Sequence, residues 1–306
     1  MKQISTKIVF FGSGPVAAKS LKLLARNFTV EAVVTKPRPE HHRGDVPVIS
    51  AANELGLKLH TVANRKALDE LIATKPFESR LGILIDFGII VSQQVIDYFP
   101  LGIINSHFSI LPELRGADPI TFAILSGQQI TGVSLMLLVE AMDEGPLLGY
   151  GEQPLDGTET APQLTDRLIS LSDALLQELV PSYIETQKTA PQDITGRSVS
   201  YSRKLTKEDG VIDWKKPAEQ IEREIRAYTD WPKSRATLAG KDIVITSARV
   251  VPTENGEPGN SKIVGKGLLI DCGQGALAID KLKPAGKNEM TAEAFLAGHK
   301  HLLGTT

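Results

Sequence analysis

Cysteine is nearly absent. Cys272 is the only one in the chain, which excludes an internal disulfide and argues against a cysteine-based zinc site. The histidines His41, His42, His299 and His301 lack the spacing of metal ligands, so no metal is expected. No stretch approaches the roughly 20 uncharged apolar residues of a membrane-spanning helix. Met1–Lys7 leads straight into a short strand without the apolar core of a signal peptide, so the expectation is a cytoplasmic protein with no membrane partner. There is no G-x-x-x-x-G-K-[ST] phosphate loop and no G-x-S-x-G elbow. A net charge of −2 argues against indiscriminate nucleic-acid binding.

The charge that is present is unevenly placed. Residues 201–306 hold 17 Lys+Arg against 14 Asp+Glu, a balance of +3, and the other 200 residues hold 17 against 22, a balance of −5. Two parts with different tasks fit this split, and 306 residues are enough for two domains. Residues 7–35 read as strand, glycine turn, helix and strand, with Phe28–Thr35 as the second strand. This βαβ unit predicts a parallel sheet. Apolar strands follow at Leu81–Ile85, at Ile103–Ile104 and at Gly132–Val139, and a long helix spans Thr160–Leu179. The stretch after residue 186 is polar and poor in large apolar side chains, as linkers are. Beyond it come an amphipathic helix, Ala218–Ala227, and short glycine-punctuated strands about ten residues apart. That rhythm predicts a small β-barrel or sandwich.

Two places look chemical. Gly12-Ser13-Gly14-Pro15-Val16-Ala17 fits the dinucleotide fingerprint G-x-G-x-x-A. The second strand, however, ends in Thr35-Lys36-Pro37, without the acid that holds a ribose. The turn is therefore read as close strand–helix packing that needs glycine, with no dinucleotide. The second place is Asn105-Ser106-His107, at the end of an apolar strand. Residues two apart share a face of a strand, so Asn105 and His107 converge. An amide can donate to a developing oxyanion, and histidine titrates nearest neutrality. Asp143 follows another apolar strand, and in a parallel sheet the strand ends share one crevice, where a carboxylate could orient the imidazole or relay a proton. Residue types alone leave a purely structural His107 open.

The stretch Asn105–Pro119 resembles the formyltransferase family that uses 10-formyltetrahydrofolate, whose pattern is N-x-H-x-S-L-L-P-x-x-R-G-x-x-P followed some 36 residues later by D-x-G, here Asp143-Glu144-Gly145. Gly132–Met136, Lys204–Trp214, Ile225–Tyr228, Trp231-Pro232 and Lys283–Gly298 resemble further elements of the members that act on methionine-charged initiator tRNA. The resemblance covers nearly the whole chain. It implies a Rossmann-like formyltransferase domain with a mostly parallel sheet (1–188), a linker (189–206) and an OB-like barrel that binds tRNA (207–306). It implies formyl transfer from the folate, a co-substrate, to the α-amino group of methionyl-initiator tRNA, by a monomer. Asn105, His107 and Asp143 would be the catalytic set. The folate would lie along Phe87, Gly88, Ile89, Ile90 and Val91 and the loop Ser109, Ile110, Leu111 and Pro112, with backbone groups reading the pterin edge. Arg43, Arg115, Lys204 and Lys207 would meet the tRNA. A formyltransferase for an amino-sugar nucleotide shares several of these elements, but the Lys204–Trp214 and Lys283–Met290 segments favour tRNA. The intact Asn/His/Asp set argues against a non-catalytic RNA- or folate-binding protein. The sequence departs from the family in the short Lys36–Pro47 loop, in Asp86-Phe87-Gly88 where A-Y-G is usual, and in Ile110 where leucine is usual.

Overall fold

The structure, a computed structural model, describes residues 4–41, 44–253 and 256–299. In chain order the first elements are β1 (Ile4–Phe11), α1 (Pro15–Asn27), β2 (Phe28–Thr35), α2 (Pro47–Glu54), β3 (Leu59–Thr61), α3 (Arg65–Ala73), β4 (Leu81–Leu84), α4 (Gln93–Tyr98), β5 (Ile103–His107) and β6 (Arg115–Gly116). They are followed by α5 (Pro119–Leu125), β7 (Ile130–Leu137), β8 (Leu147–Pro154), α6 (Ala161–Thr186) and β9 (Tyr201–Ser202). The remainder is α7 (Ala218–Ala227), β10 (Ser234–Leu238), β11 (Lys241–Val251), β12 (Ser261–Val264), β13 (Gly267–Asp271), β14 (Ala276–Pro284), β15 (Met290–Thr291) and α8 (Ala292–His299). The chain divides into two units. One holds the residues up to Gly116 with Ile130–Pro154 and Thr165–Ser202, and the other holds Ala117–Gln129, Leu155–Leu164 and the chain from Arg203 onward.

The first unit is built on a seven-stranded sheet of order β3-β2-β1-β4-β5-β7-β8. The ladders among β1 to β5 are parallel, and β7 and β8 join antiparallel. Strands covered on both faces should be apolar throughout, and Ile8, Val9, Phe10 and Phe11 are all 0% exposed. Val9 and Phe11 share a core with Leu68, Val95 and Phe99. Phe11 meets Phe87 and Phe99 edge-on at 5.7 and 5.8 Å between ring centroids, a favoured aromatic geometry. Strand order reverses between β1 and β4, which places the C-terminal ends of β1, β4 and β5 at the crevice where such sheets bind ligands.

Two features differ from the sequence reading. The strand expected at Gly132–Val139 runs antiparallel to β5, and β8 had not been anticipated at all. Leu147–Pro154 carries Gly149, Gly151 and a polar end, so its periodicity is poor. It pairs because glycine lets backbones approach: a methyl at Gly132 would lie 2.0 Å from the Gly151 carbonyl oxygen.

The second unit carries an antiparallel sheet of order β10-β11-β14-β13-β12, with β15 on β14. No ladder among the described residues joins β12 to β10, so the anticipated barrel is seen as this sheet. Its core packs Ile221 and Ile225 of α7, four apart on one face, against Ile243, Ile270 and Leu277, with Phe295 of α8. In the same unit the Arg203 guanidinium forks onto Asp209 at 2.5 and 2.8 Å and holds that carboxyl well below the usual range. Among the described residues no helix is long and apolar enough to cross a membrane.

Cys272 is 0% exposed, and its thiol is pushed up to about 11 by burial, with Asp271 adding to the effect. A raised value favours the protonated folded form, so this contribution is intact below the ordinary thiol value and fades as pH climbs towards 11. At neutral pH an alkylating reagent is expected to label Cys272 only as fast as the β13–β14 region opens. Rapid labelling of the native protein would contradict this.

Candidate active site

The site begins with the pleat of β5. Asn105 lies opposite Leu84 of β4 and Met136 of β7, and His107 lies opposite Ser134. With a strand on each side, every residue of β5 is buried. Alternation sends Ser106 to the far face, where its hydroxyl shares a 2.7 Å hydrogen bond with Ser172 of α6. Asn105 and His107 point the other way, and both meet Asp143. Asn105 Nδ2 lies 3.4 Å from Asp143 Oδ1, and His107 Nδ1 lies 3.8 Å from the same oxygen. The second carboxylate oxygen accepts the Gly116 amide at 2.7 Å.

The imidazole is fixed from its other side. His107 Nε2 is 2.9 Å from the Leu114 carbonyl oxygen. A carbonyl can only accept, so Nε2 carries a hydrogen. In the neutral ring Nδ1 is then the bare nitrogen facing Asp143.

Asp143 reaches this face by a route different from the one expected. Because β7 is antiparallel to β5, its C-terminal end at Leu137 lies beside Ile104, not beyond His107. The carboxylate is brought back by the 138–146 loop, which folds over the end of β7. Leu137 N donates to Pro146 O at 2.9 Å, and Gly145 is so close that a methyl there would lie 1.7 Å from the Leu137 oxygen. Asp143 itself is left-handed, with φ +54°, a conformation that costs about 1–3 kcal/mol and persists where the surroundings hold it.

The surroundings include a side chain that residue pattern did not single out. Gln192, 8% exposed, donates from Nε2 to the carbonyl oxygens of Asp143 at 2.8 Å and Gly145 at 3.0 Å. Its Oε1 accepts from Arg115 Nε and Nη2 at 3.3 and 2.7 Å, and Arg115 Nη1 is 3.0 Å from Glu144. The Arg115 guanidinium is therefore engaged inside the first unit. Leu114, whose carbonyl orients His107, is held by Ser200 Oγ on its amide at 2.9 Å.

The other anticipated residues fall in several places. Phe87 is buried against Phe11, Gly88 is left-handed beneath the Lys36 ammonium, and Ile90 is 67% exposed. Ile89 and Val91 are half-buried against the core. Ser109, Ile110, Leu111 and Pro112 are buried, and their polar groups are largely spoken for. Ser134 Oγ donates to Ser109 O at 2.8 Å and accepts from Leu111 N at 2.9 Å, Ser109 Oγ donates to Glu113 O at 2.5 Å, and Ser200 N donates to Pro112 O at 3.2 Å. Lys204 and Lys207 are exposed in the second unit. Arg43 lies outside the described residues.

Asp86 gains a role from this geometry. A methyl at Gly14 would lie 1.9 Å from Asp86 Oδ2, so the carboxylate sits against the N-terminal turn of α1, where the helix dipole favours an anion. A methyl at Gly12 would likewise lie 2.6 Å from Ala17 Cβ. Close packing thus accounts for both glycines of the fingerprint.

Comparison with known proteins agrees with this architecture. Residues 6–180 match the family model "Formyl transferase", and residues 204–300 match "Formyl transferase, C-terminal domain". A methionyl-tRNA formyltransferase of Magnetococcus marinus is 33% identical over 299 residues, spanning 96% of this chain and 95% of its own length. HypX from Aquifex aeolicus, solved with tetrahydrofolic acid, aligns with TM-score 0.64 at 15% identity over 99% of this chain, which spans about half (49%) of the HypX chain. WlaRD, a sugar 3N-formyl transferase solved with dTDP and 5-N-formyl-THF, aligns with TM-score 0.66 at 18% identity, covering 93% of this chain and all (100%) of its own. The two structural likenesses speak for the fold alone. The two family models, which follow one another along the chain, and a relative one-third identical over nearly its full length identify the chain as a member of the formyl transferase family.

Proposed function

We propose that this protein transfers the formyl group of 10-formyltetrahydrofolate to the α-amino group of methionyl-initiator tRNA, as a cytoplasmic monomer acting in translation initiation. The observation that carries the reading is the convergence of Asn105, His107 and Asp143 on one buried face, with the imidazole locked by Leu114 O. The methionyl-tRNA formyltransferase relative, matching both parts of the chain, supports the choice of amine.

The donor set suits this chemistry. The folate supplies the formyl carbon, and attack by an amine puts negative charge on the formyl oxygen. Asn105 has two amide hydrogens. One is directed at Asp143, and the other is available to that oxygen. Asp143, shared between Asn105 and His107, steadies both, and it can take the proton shed by the amine and return it, directly or through water, to the folate N10 as the bond between N10 and the formyl carbon breaks and the oxyanion collapses to the new amide. His107 supplies a second donor when protonated at Nδ1. The buried loop 109–112, stiffened by Ser134, would form an apolar floor for the folate. Phe87–Val91 would border it, with exposed Ile90 covering its apolar surface. Residues 1–188 would carry the chemistry and 207–306 the tRNA, with 189–206 between them. Lys204 and Lys207 would meet phosphates, together with Arg43, so affinity would fall as salt rises. Arg115, tied to Gln192 and Glu144, would frame the acceptor end's entry more than neutralise it.

The test offers the protein labelled 10-formyltetrahydrofolate with methionyl-initiator tRNA and, separately, with an amino-sugar nucleotide. Label is expected in the aminoacyl ester alone. Transfer only to the sugar, or to neither amine, would overturn the reading.

A further inference from the structure

We propose that Gln192 is a positioning residue for Asp143, acting through the backbone of the 143–145 loop. The inference rests on the reading of Asp143 given above. Gln192 follows α6, at the start of the polar stretch between the two parts of the chain. Nothing in its residue type or spacing marks it, yet its side chain is buried, its nitrogen donates to this loop and its oxygen accepts from Arg115.

The geometry leaves the amide a single sensible orientation. Arg115 can only donate, and it presents Nε and Nη2 to the Gln192 oxygen. The carbonyls of Asp143 and Gly145 can only accept, and they face the Gln192 nitrogen. Flipping the amide would set donor against donor and acceptor against acceptor, so the Arg115 fork fixes the nitrogen towards the loop. The same Arg115 holds Glu144, so three successive residues of the loop are pinned by one Arg–Gln pair. The carbonyls that accept from Gln192 are that of the left-handed Asp143 itself and that of Gly145 two residues on, and the Asp143 side chain must bring one oxygen to Asn105 and His107 and the other to Gly116. Without the two amide hydrogens the turn can relax towards ordinary dihedral angles, and the carboxylate moves with it.

This predicts a loss in the chemical step and not in binding. Gln192→Met, close in size but without a donor, is expected to lower kcat by about 10²-fold, the scale of an ångström-size misplacement of a catalytic group, with KM for both substrates nearly unchanged. Gln192→Glu keeps an acceptor for Arg115 but turns an oxygen towards two carbonyls, and it should lose as much. Both are to be measured beside Asp143→Asn and the Asp143→Asn/Gln192→Met double variant, with thermal unfolding as the control for fold. If Gln192 acts through Asp143, the double variant is no slower than Asp143→Asn alone. Multiplying losses in the double variant, or a near-normal kcat in Gln192→Glu, would overturn the inference while leaving the Asp143 assignment standing. Full activity in Asp143→Asn would instead remove that assignment, and the inference with it. Should Gln192→Met not fold, Gln192→Asn sets the amide one methylene short and carries the same expectations.

Discussion

Asp143→Asn is expected to lower kcat for formyl transfer by about 10²–10³-fold, the range for losing a proton acceptor or one oxyanion-supporting contact, while the protein keeps its fold. The substitution is nearly isosteric. The remaining oxygen can still accept from the Gly116 amide, so the loop keeps that anchor. The change falls on the other oxygen, which becomes an NH2 group. It then faces the Asn105 amide nitrogen, donor against donor, where a 3.4 Å hydrogen bond stood. It also faces His107 Nδ1, to which it can donate. Leu114 O keeps the other ring hydrogen on Nε2. The carboxylate oxygen that faced the ring at 3.8 Å is gone. Three functions fail together: the base for the departing amine proton, the orientation of the Asn105 amide and the carboxylate contact to His107. Single-turnover rates with saturating substrates isolate the chemical step, and a thermal melt reports the fold. A rate within a few-fold of the unaltered protein would show that Asp143 is a structural carboxylate.

How much of this was legible in the sequence depends on what a pattern encodes. β2 and α7 were read with their observed limits, because an apolar run between turn residues and two isoleucines four apart are local signals. Asn105 and His107 were legible as a pair because the pleat has period two. Asp143 was legible as a partner through its place in the family pattern, but its path was not. An apolar strand has the same composition whichever way it runs, so the reversal of β7 relative to β5 left no trace. β8 was hidden because its glycines serve backbone approach to β7 and contribute no alternation. Gln192 was hidden for another reason. Its role depends on Arg115, some 77 residues earlier in the chain, and no window of sequence contains both. The glycine fingerprint shows the converse limit, since Gly12 and Gly14 satisfy a ligand-binding pattern through contacts with Ala17 and Asp86.

The second unit holds a charged pair whose disruption should cost it considerable stability. Lys216→Met is expected to cost about 3 kcal/mol, the lower end for removing one partner of a buried ion pair. Glu224 lies on the inner side of α7 and is 4% exposed. Lys216 Nζ meets its Oε1 at 2.6 Å, and the only other side-chain donor on that carboxylate among the described residues is Gln220 Nε2, at 3.4 Å. Methionine would keep the packing of the lysine stem and withdraw the charge, leaving a nearly buried carboxylate that one long side-chain hydrogen bond supports. The Lys216 side chain keeps 34% of its exposure, so water already solvates part of the ammonium, and for that reason the lower end of the range applies. The pair can be removed without that penalty. In Lys216→Met/Glu224→Leu no charge is left stranded, and the double variant should recover most of the loss, because an apolar pair of similar volume often equals a buried ion pair in stability. Urea unfolding followed through Cys272 labelling reads this region directly, since Cys272 lies in the same core as Ile221 and Ile225. A cost below about 1 kcal/mol for Lys216→Met, the level of a surface pair, would mean that Glu224 finds water or another partner when the lysine is gone.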